Sequence, residues 1–502
     1  MALARRRRIK KLFIANRGEI ACRIIRAARE MGIPTVAAFS DADAGSLAVR
    51  MAEEVAHLGP TDPLKSYLDQ DSIIRIAKEN KCNAIHPGYG FLAENATFVD
   101  KCQKAKLIFV GPTSKNIREL GDKTLAKKIA IKADVPVIPG TAEPVTSIEE
   151  AKQFADEAGY PIIMKAAAGG GGRGMRIARK ASEVERSLES CRNEAMASFG
   201  SDAIFLEKLI ENARHIEVQV LADSYGNVIQ LGERDCSIQR RHQKLIEEAP
   251  SPALDNDTRS LIGLAACNIA REAGYRNAGT VEFLLEGKDK FYFMEMNTRI
   301  QVEHPVTEMV TGVDLVKRQL LIAQDENLDI TQLDVRTVGH AIECRINAED
   351  PSRNFLPTPG RIANVIFPLG PGIRVDTAAF SGSEIPREYD SMIAKIIVHA
   401  DTREEAVERM KRALLEFKIG GIRSTANFHF SIMNDPDFIS GDFNTSYIDR
   451  NLDRLNRNEF ANPEIAAIAS AIEAYLRTHN RLPKKDVPAI RPGGSWKLSR
   501  NL

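Results

Sequence analysis

The sequence lacks any long apolar run. No stretch of its 502 residues approaches the roughly 18 apolar residues that cross a membrane. Four arginines, Arg5 to Arg8, stand near the start, but no apolar signal core follows them. We therefore expect no membrane span and no secretory signal, and we interpret the arginine run as a solvated tail.

The sequence also has no excess of charge of one sign. Its 69 Lys and Arg residues balance 68 Asp and Glu residues, for a net charge of +1. Dedicated nucleic-acid binders usually carry a basic excess, so the balance argues against this class, although it is compatible with a local basic pocket. The seven cysteines form no CxxC pair, which predicts no zinc site and indicates a cytoplasmic protein. The length and the hydrophobic content of 43% predict a soluble globular chain of about three domains.

Strand and helix patterns divide the chain into several parts. Apolar strands at 11–15, 35–39, 83–86 and 107–110 alternate with helical patterns, which predicts a parallel sheet of βαβ units. A proline-rich linker at 135–140 leads to a small unit at 141–210. Period-2 patterns then predict antiparallel strands to about 340, and a mixed α/β unit to 455. The last residues resemble a loosely ordered tail.

A glycine-rich loop stands inside the small unit, in the sequence PIIMKAAAGGGGRGMRI at 161–177. It contains GxGxxG, but a strand pattern follows instead of the helix that a dinucleotide site requires, and no GK[ST] is present. The pattern predicts a strand–loop–strand hairpin whose backbone N–H groups approach phosphate oxygens, with Lys165 adding charge. A hairpin tip without a ligand is the alternative.

The segment 291–303 carries a row of polar side chains. In period 2, one face holds Phe291, Phe293, Glu295, Asn297, Arg299, Gln301 and Glu303. Together with Glu282 on a neighbouring predicted strand, Glu295 and Asn297 offer oxygen ligands suited to Mg²⁺. Arg299 suits a planar anion, and Glu303 suits a general base. A solvent-facing strand would show the same alternation, but the two phenylalanines argue against one.

The basic cluster QRRHQK at 239–244 permits two interpretations. By itself it is typical of a solvated loop, and beside a phosphate site it becomes an anion clamp. His215, in a predicted strand, is either a structural residue or part of that site.

Together these motifs identify a resemblance to the biotin carboxylase component of biotin-dependent carboxylases, within the ATP-grasp superfamily. The similarity covers about residues 10–450 in order. The matching strings, besides Lys165 and its loop, are IANRGEI (14–20), HPGYGFL (86–92), ERDCS (233–237), QRRHQK (239–244), EEAP (247–250), EMNTRIQVEHP (295–305), CRINAED (344–350) and YDSM (389–392).

The resemblance implies an α/β fold with a domain order. The expected parts are an N-terminal Rossmann-like domain (10–122), a mobile ATP-grasp lid (137–210), an ATP-grasp body (211–340), a C-terminal mixed α/β domain (341–455) and a tail of unknown role (456–502).

The resemblance also implies roles for individual residues. ATP would be bound by Lys123, Lys165, Gly171, Gly172, Glu207, Lys208, Leu209, Ile210, His215, Gln239, His242, Glu282 and Glu295. The metal ligands would be Glu282, Glu295 and Asn297. Bicarbonate would be bound by Lys244, Arg299, Gln301, Val302 and Glu303, with Glu303 as the base. Arg345 and Tyr89 would bind biotin. The expected catalytic residues are Lys244, Arg299, Glu303 and Arg345.

The implied activity is ATP-dependent carboxylation of biotin by bicarbonate, with Mg²⁺ or Mn²⁺ in two sites. No Ala-Met-Lys-Met-like sequence is present, so we expect biotin on a separate carrier protein, and a carboxyltransferase is a further expected partner. A homodimer through Arg26 and Glu30 is also implied. The alternatives are another ATP-grasp carboxylate ligase, which would lack the 239–244 cluster and CRIN at 344–347, and a non-catalytic nucleotide-binding regulator, which would have lost the acids.

Overall fold

The computed structural model of the protein describes residues 8–166 and 174–456, and five helical positions at 468, 471, 472, 474 and 475. Residues 1–456 and 457–502 are two separate units. Gly171, Gly172 and the expected tail, apart from those five positions, lie outside the described residues. Among the described helices, none is long and apolar enough to cross a membrane. All seven cysteines are free and buried.

The N-terminal sheet has five parallel strands in the order β3-β2-β1-β4-β5, which confirms the predicted βαβ pattern. The strands are β1 (Leu12–Ile14), β2 (Thr35–Ser40), β3 (Glu54–Gly59), β4 (Ala84–His86) and β5 (Ile108–Phe109). The helices are α1 (Gly18–Glu30), α2 (Leu47–Met51), α3 (Gln70–Glu79), α4 (Ala96–Lys104) and α5 (Ser114–Gly121). The chain leaves β1 and β4 on opposite sides, so a crevice opens between their carboxyl ends.

A small three-stranded sheet follows helix α6 (Lys123–Lys132) and the proline-rich connector. It contains α7 (Ile148–Ala158), β6 (Ile162–Ala166), β7 (Met175–Ala178), α8 (Ala181–Phe199) and β8 (Ile204–Lys208). Strand β6 is central and antiparallel to β7 and β8, which confirms the strand predicted after the glycine-rich loop. Its apolar side chains pack into a core of their own, with Ile162, Met164, Leu188 and Leu206 fully buried.

The largest sheet among the described residues has eight strands, each antiparallel to its neighbours, in the order β13-β12-β9-β10-β11-β14-β21-β19. Its first part contains β9 (Arg214–Ala222), β10 (Val228–Arg240), β11 (Gln243–Ala249), α9 (Asn256–Glu272), β12 (Asn277–Glu286), β13 (Lys290–Asn297), α10 (His304–Thr311) and α11 (Leu315–Ala323). Helix α9 begins at an N-cap, Asp255, whose side chain accepts a hydrogen bond from the Thr258 N–H.

The chain after residue 340 extends the same sheet, because β14 pairs with β11. The strands are β14 (His340–Asn347), β15 (Glu349–Asp350), β16 (Leu356–Pro357), β17 (Gly360–Arg361), β18 (Asn364–Ile366), β19 (Ile373–Thr377), β20 (Glu384–Ile385), β21 (Met392–Ala400) and β22 (Lys418–Gly420). The helices are α12 (Arg403–Glu416), α13 (Ala426–Met433), α14 (Pro436–Ser440) and α15 (Tyr447–Asn456).

The polar segment 291–303 differs from its predicted form in two ways. Strand β13 ends at Asn297, and the chain then turns before α10 begins. A bulge also breaks the alternation, because Phe283 pairs with Phe293 while the adjacent Glu282 pairs with Glu295. Phe293 and Met296 therefore both pack in the core, and Glu295 points to the other face. The two phenylalanines do not share the polar face.

Candidate active site

Two carboxylates face each other on the polar side of the β12–β13 pair. Glu282 and Glu295 are register partners, and Asn297 Nδ2 donates to Glu282 Oε1 at 2.8 Å. Burial and then the negative charge of Glu282 raise the pKa of Glu295. Two close acids and an amide oxygen have the hard-donor chemistry of a divalent cation site, so these residues fit the Mg²⁺ that the sequence implies.

His215 extends this group from the neighbouring strand β9. Its Nε2 lies 2.8 Å from Glu282 Oε2, and the ring is buried. Burial lowers the pKa of His215, but the charge of Glu282 outweighs it and raises the pKa overall. The neighbouring carboxylate thus stabilises the cationic form of the imidazole.

Lys244 lies at the centre of the site. Its Nζ is 2.6 Å from Glu217 Oε2, 2.6 Å from Glu303 Oε1 and 3.0 Å from Glu282 Oε1. Burial disfavours the ammonium form, but the three carboxylates hold the pKa of Lys244 well above its ordinary value. This side chain is therefore a fixed positive charge in a mostly dry pocket.

Glu303 joins Lys244 to Arg345. One carboxylate oxygen accepts from Lys244, and the other lies 2.8 Å from Arg345 Nη2. Burial alone would raise the pKa of Glu303, yet the charges of Lys244 and Arg345 keep it well below its ordinary value. Arg345 also binds Glu247, with Nε donating to Oε1 at 2.6 Å. Glu303 is therefore ionised, with each of its carboxylate oxygens held by a cation.

The turn at 298–303 carries a further cation of the site, Arg299. Arg299 Nε donates to Glu94 Oε2 at 2.9 Å, Nη1 donates to Gln301 Oε1 at 2.6 Å, and Nη2 donates to Asn297 Oδ1 at 3.2 Å. Gln301 in turn donates to Glu282 Oε1 at 3.2 Å. These contacts orient a planar guanidinium beside the acid cluster, and Val302 lies in the same turn before Glu303.

Tyr89 lies in the crevice between β1 and β4. Its hydroxyl donates to Glu19 Oε1, and Asn16 Nδ2 donates to the carbonyls of Pro87 and Tyr89 at 2.6 and 2.7 Å. Gly88 has a φ of +64°, and a Cβ there would lie 2.8 Å from Asn16 Nδ2, so the turn requires glycine. Tyr89 is thereby held by residues that follow the two central strands.

The predicted nucleotide residues lie on several elements. Lys165 and Lys127 both form ion pairs with Glu207. Lys123 begins α6, and its charge acts on Glu295. Lys208 Nζ donates to the carbonyls of Gly159 and Tyr160. Of the other predicted nucleotide residues, Ile210 and Gln239 are buried, Leu209 is half-exposed and His242 is exposed. His242 occupies the tip of the β10–β11 hairpin, between the paired residues Arg240 and Gln243.

Several supporting residues were not predicted from the sequence. Glu217 binds Lys244, and fully buried Arg234 binds Glu217 and donates to the Gln219, Thr307 and Thr280 side chains. Glu94 and Glu247 hold Arg299 and Arg345. The alternation of β9 contained a signal for Glu217, because it lies two residues after His215 and therefore on the same face.

Three sequence models of known domains match the chain consecutively. "Biotin carboxylase, N-terminal domain" matches residues 8–117, "Carbamoyl-phosphate synthase L chain, ATP binding domain" matches 122–331, and "Biotin carboxylase C-terminal domain" matches 343–450. The chain is 53% identical over 442 residues to biotin carboxylase 1 of Bacillus subtilis, covering 88% of this chain and 98% of that protein. It is 49% identical over 468 residues to the 2-oxoglutarate carboxylase small subunit of Hydrogenobacter thermophilus, covering 93% and 99%.

Solved structures give the same result. The biotin carboxylase domain dimer of Hydrogenobacter thermophilus 2-oxoglutarate carboxylase, solved with MgADP, ADP and bicarbonate, has a TM-score of 0.83 at 49% identity, covering 91% of this chain and 100% of that chain. The biotin carboxylase subunit of a pyruvate carboxylase has a TM-score of 0.82 at 50% identity, covering 90% and 100%.

Proposed function

The chain belongs to the biotin carboxylase family, and from this membership we propose how its residues divide the work of the reaction. The enzyme is a ligase that carboxylates biotin on a carrier protein with ATP and bicarbonate, giving N-carboxybiotin, ADP and phosphate. The other ATP-grasp ligases are disfavoured, because the carbamoyl-phosphate synthase model matches 122–331 alone while the regions on both sides match biotin carboxylase.

One observation carries the assignment of the chemical step, namely that Glu303 is bound by Lys244 on one oxygen and Arg345 on the other. Bicarbonate binds Lys244, Arg299, the Gln301 side chain and the Val302 peptide. Glu303 accepts the bicarbonate proton, and the oxyanion attacks the γ-phosphorus of ATP while the bond from that phosphorus to the bridging oxygen breaks and ADP leaves. This step makes carboxyphosphate, an activated form of a poor electrophile.

The acid cluster would hold the metal. Glu282, Glu295 and Asn297 are suited to hold Mg²⁺ or Mn²⁺ in two sites. A metal bound there would neutralise negative charge on the phosphate that is transferred. His215, Lys123, Lys165, Gly171 and Gly172 add positive or N–H groups to the phosphates. The adenine lies against 207–210, and Gln239 with His242 holds the ribose region.

Arg345 serves the second half of the reaction. Carboxyphosphate breaks to CO₂ and phosphate, and phosphate takes the proton of the biotin ureido nitrogen. The negative charge then develops on the ureido oxygen, which Arg345 stabilises. The nitrogen attacks CO₂ to form N-carboxybiotin, and Tyr89 lines the biotin pocket. Residues 137–210 act as a lid that excludes water from carboxyphosphate, between the N-terminal domain (10–122) and the body (211–340).

The partners follow from the same assignment. A biotin carboxyl carrier protein brings the substrate, and a carboxyltransferase consumes the product. Two relatives support this arrangement, because they are named as subunits of larger enzymes, the pyruvate carboxylase of Methanothermobacter thermautotrophicus and the 2-oxoglutarate carboxylase of Hydrogenobacter thermophilus. The chain forms a homodimer through α1, where Arg26 and Glu30 lie, with residues 341–455 completing each site.

The substitution Glu303→Gln tests the assignment of the base. It keeps the size of the side chain and removes the proton acceptor, so bicarbonate- and biotin-dependent ADP release should fall about 10²- to 10⁴-fold. Binding of Mg·ATP, measured by calorimetry, should stay within about twofold, because Glu282 and Glu295 are unchanged.

The matched control is Glu233→Gln. Glu233 is also buried, and its Oε1 pairs with Arg259 Nε at 2.8 Å, outside the Lys244 cluster. The control should keep the ADP release of the wild type. Full activity of Glu303→Gln, or equal loss in both variants, would remove Glu303 as the base.

A further inference from the structure

Lys395 is a buried cation to which the reaction above gives no role. It lies on β21 with its side chain fully buried. Its Nζ donates to the Val302 carbonyl at 2.7 Å and pairs with Glu19 Oε1 at 2.9 Å. Asp376 Oδ2 is 3.9 Å away. Burying an ammonium is costly unless it is paired and hydrogen-bonded, so these contacts explain how the charge is tolerated.

The acceptor of this hydrogen bond is close to the chemistry. The Val302 carbonyl belongs to the same peptide unit as the Glu303 nitrogen. The bond therefore restrains the peptide plane directly before the proposed base. Lys244 and Arg345 hold the end of the Glu303 side chain, while Lys395 holds the backbone from which it starts.

Lys395 also joins three parts of the molecule. Glu19, in the first turn of α1, accepts from both Lys395 and the Tyr89 hydroxyl on the same oxygen. A continuous row of contacts thus runs from Tyr89 in the N-terminal sheet, through Glu19 and Lys395, to the 298–303 turn. Lys395 therefore contacts both the Val302 carbonyl, in the proposed bicarbonate-binding turn, and Glu19, which orients Tyr89.

We infer that Lys395 is a positioning residue for carboxylation, which sets the Val302–Glu303 peptide against bicarbonate and links it through Glu19 to Tyr89. This inference rests on the proposed function, because it assumes that bicarbonate binds at the 299–303 turn. It assigns Lys395 no contact with substrate. A role limited to joining domains would change stability and the active fraction, and would leave the bicarbonate KM unchanged.

The test is the steady-state kinetics of Lys395→Met in the full chain, with free biotin as acceptor. Loss of the restraint should raise the KM for bicarbonate at least about tenfold, since misplacement of about 1 Å costs catalysis about 10²-fold. The KM for ATP should stay within about twofold, because no nucleotide residue contacts Lys395 among those described.

A second variant covers the case in which Lys395→Met fails to fold because Glu19 loses its cation. The double variant Lys395→Met/Glu19→Gln removes the charges of both the ammonium and the carboxylate, so neither is left buried alone. It still lacks the hydrogen bond to the Val302 carbonyl, so it should show the same rise in the KM for bicarbonate. Glu19→Gln alone retains Lys395 and its bond to Val302, and should keep the bicarbonate KM within about threefold of the wild type.

Two controls separate the possible failures. Lys411→Met removes a lysine on α12 that pairs with Glu408 at 2.7 Å, and should leave kcat and the KM values for bicarbonate and ATP unchanged.

Arg299→Lys tests the proposed bicarbonate site itself. If Arg299→Lys raises the bicarbonate KM and the Lys395 variants do not, the inference on Lys395 is wrong. If Arg299→Lys also leaves it unchanged, the proposed bicarbonate site is wrong.

Discussion

A single carboxylate connects the two halves of the site at the residue scale. Glu303 binds Lys244 through one oxygen and Arg345 through the other, so the cation proposed for bicarbonate and the cation proposed for biotin share an acid. Lys244 also binds Glu217 and Glu282, which extends the network to the proposed metal ligands. If Glu303 is the base, as we propose, a proton on it would weaken both ion pairs at once and would free both cations for the anions formed in the reaction.

Glu248 gives a residue-scale prediction on stability. It is buried, with His340 Nε2 at 2.6 Å and Arg403 Nε at 2.7 Å. Burial would raise the pKa of Glu248, but the bond with His340 and the charge of Arg403 lower it from 4.5 to about 2. This pKa difference corresponds to a contribution of about 3 kcal/mol to the free energy of unfolding at neutral pH, since each pKa unit is worth about 1.4 kcal/mol.

The sign follows from the lowered pKa. The stabilisation is present above pH 4.5 and is lost as the pH falls from there to about 2. Glu248→Gln should therefore unfold more easily in urea at pH 7 by roughly 3 kcal/mol, and should lose less stability than the wild type on acidification. Glu79→Gln, at an exposed pair with Arg75, is the control. A wild type and a Glu248→Gln variant with equal pH dependence would contradict this account.

Sequence patterns predict the oxygen-donor residues better than the side chains that hold the site together. Glu282, Glu295 and Asn297 are predicted as oxygen donors, and the structure brings these three residues together. The pairing of Lys244 with Glu217 was not predictable, since it requires the register between strands that are distant in the sequence. Strand periodicity describes one strand at a time and contains no information on that register.

The bulge in β13 shows a second limit, at the scale of the element. Strict alternation places Phe293 and Glu295 on one face, but the extra residue before Glu295 reverses the faces. The result buries Phe293 and Met296 on one side while the acids meet on the other. A bulge depends on the opposing strand, so the sequence of β13 alone does not reveal it.

The small sheet of β6, β7 and β8 carries a prediction at the same scale. Its core is separate from the others, and Lys165 on β6 forms an ion pair with Glu207 on β8. If residues 137–210 act as a lid, bound Mg·ATP analogue should slow amide hydrogen exchange in β6 and β8 more than in β9.

The control for the lid prediction is the variant Lys165→Met with the same analogue. Removing the cation should reduce the added protection of β6 and β8, while exchange in β9 stays as in the wild type. Equal exchange with and without the analogue in the wild type would mean that the small sheet does not respond to nucleotide.

At the largest scale that the structure describes, the eight-stranded sheet joins the parts of residues 8–456 on either side of residue 340. Strands on both sides of residue 340 pair directly, so the body and the C-terminal part share hydrogen bonds between β11 and β14. Sequence patterns predict a unit before residue 340 and another after it, but they do not predict that the two share a sheet. The pairing of β11 with β14 joins residues about a hundred positions apart, and local patterns contain no information on it. Arg345 on β14 thereby reaches Glu247 on β11, and the site lies across this junction.

The assembly gives a prediction at this scale. We expect the protein to sediment with the mass of two chains, through α1. Arg26→Glu should shift the sedimenting mass towards that of one chain. In a two-fold interface both chains carry the substituted residue, so the reversed charge disturbs the interface at two places. Arg75→Glu, on an exposed face of α3, should leave the mass unchanged. A wild type that sediments as a single chain at micromolar concentration would contradict the proposed dimer.

The central claim is that bicarbonate is activated by ATP before it reaches biotin. The most direct measurement supplies ¹⁸O-labelled bicarbonate with Mg·ATP and biotin, and determines the oxygen isotopes of the released phosphate by mass spectrometry. Attack of the bicarbonate oxyanion on the γ-phosphate predicts one ¹⁸O in each phosphate molecule. Phosphate that carries only the oxygens of ATP and water would contradict the account.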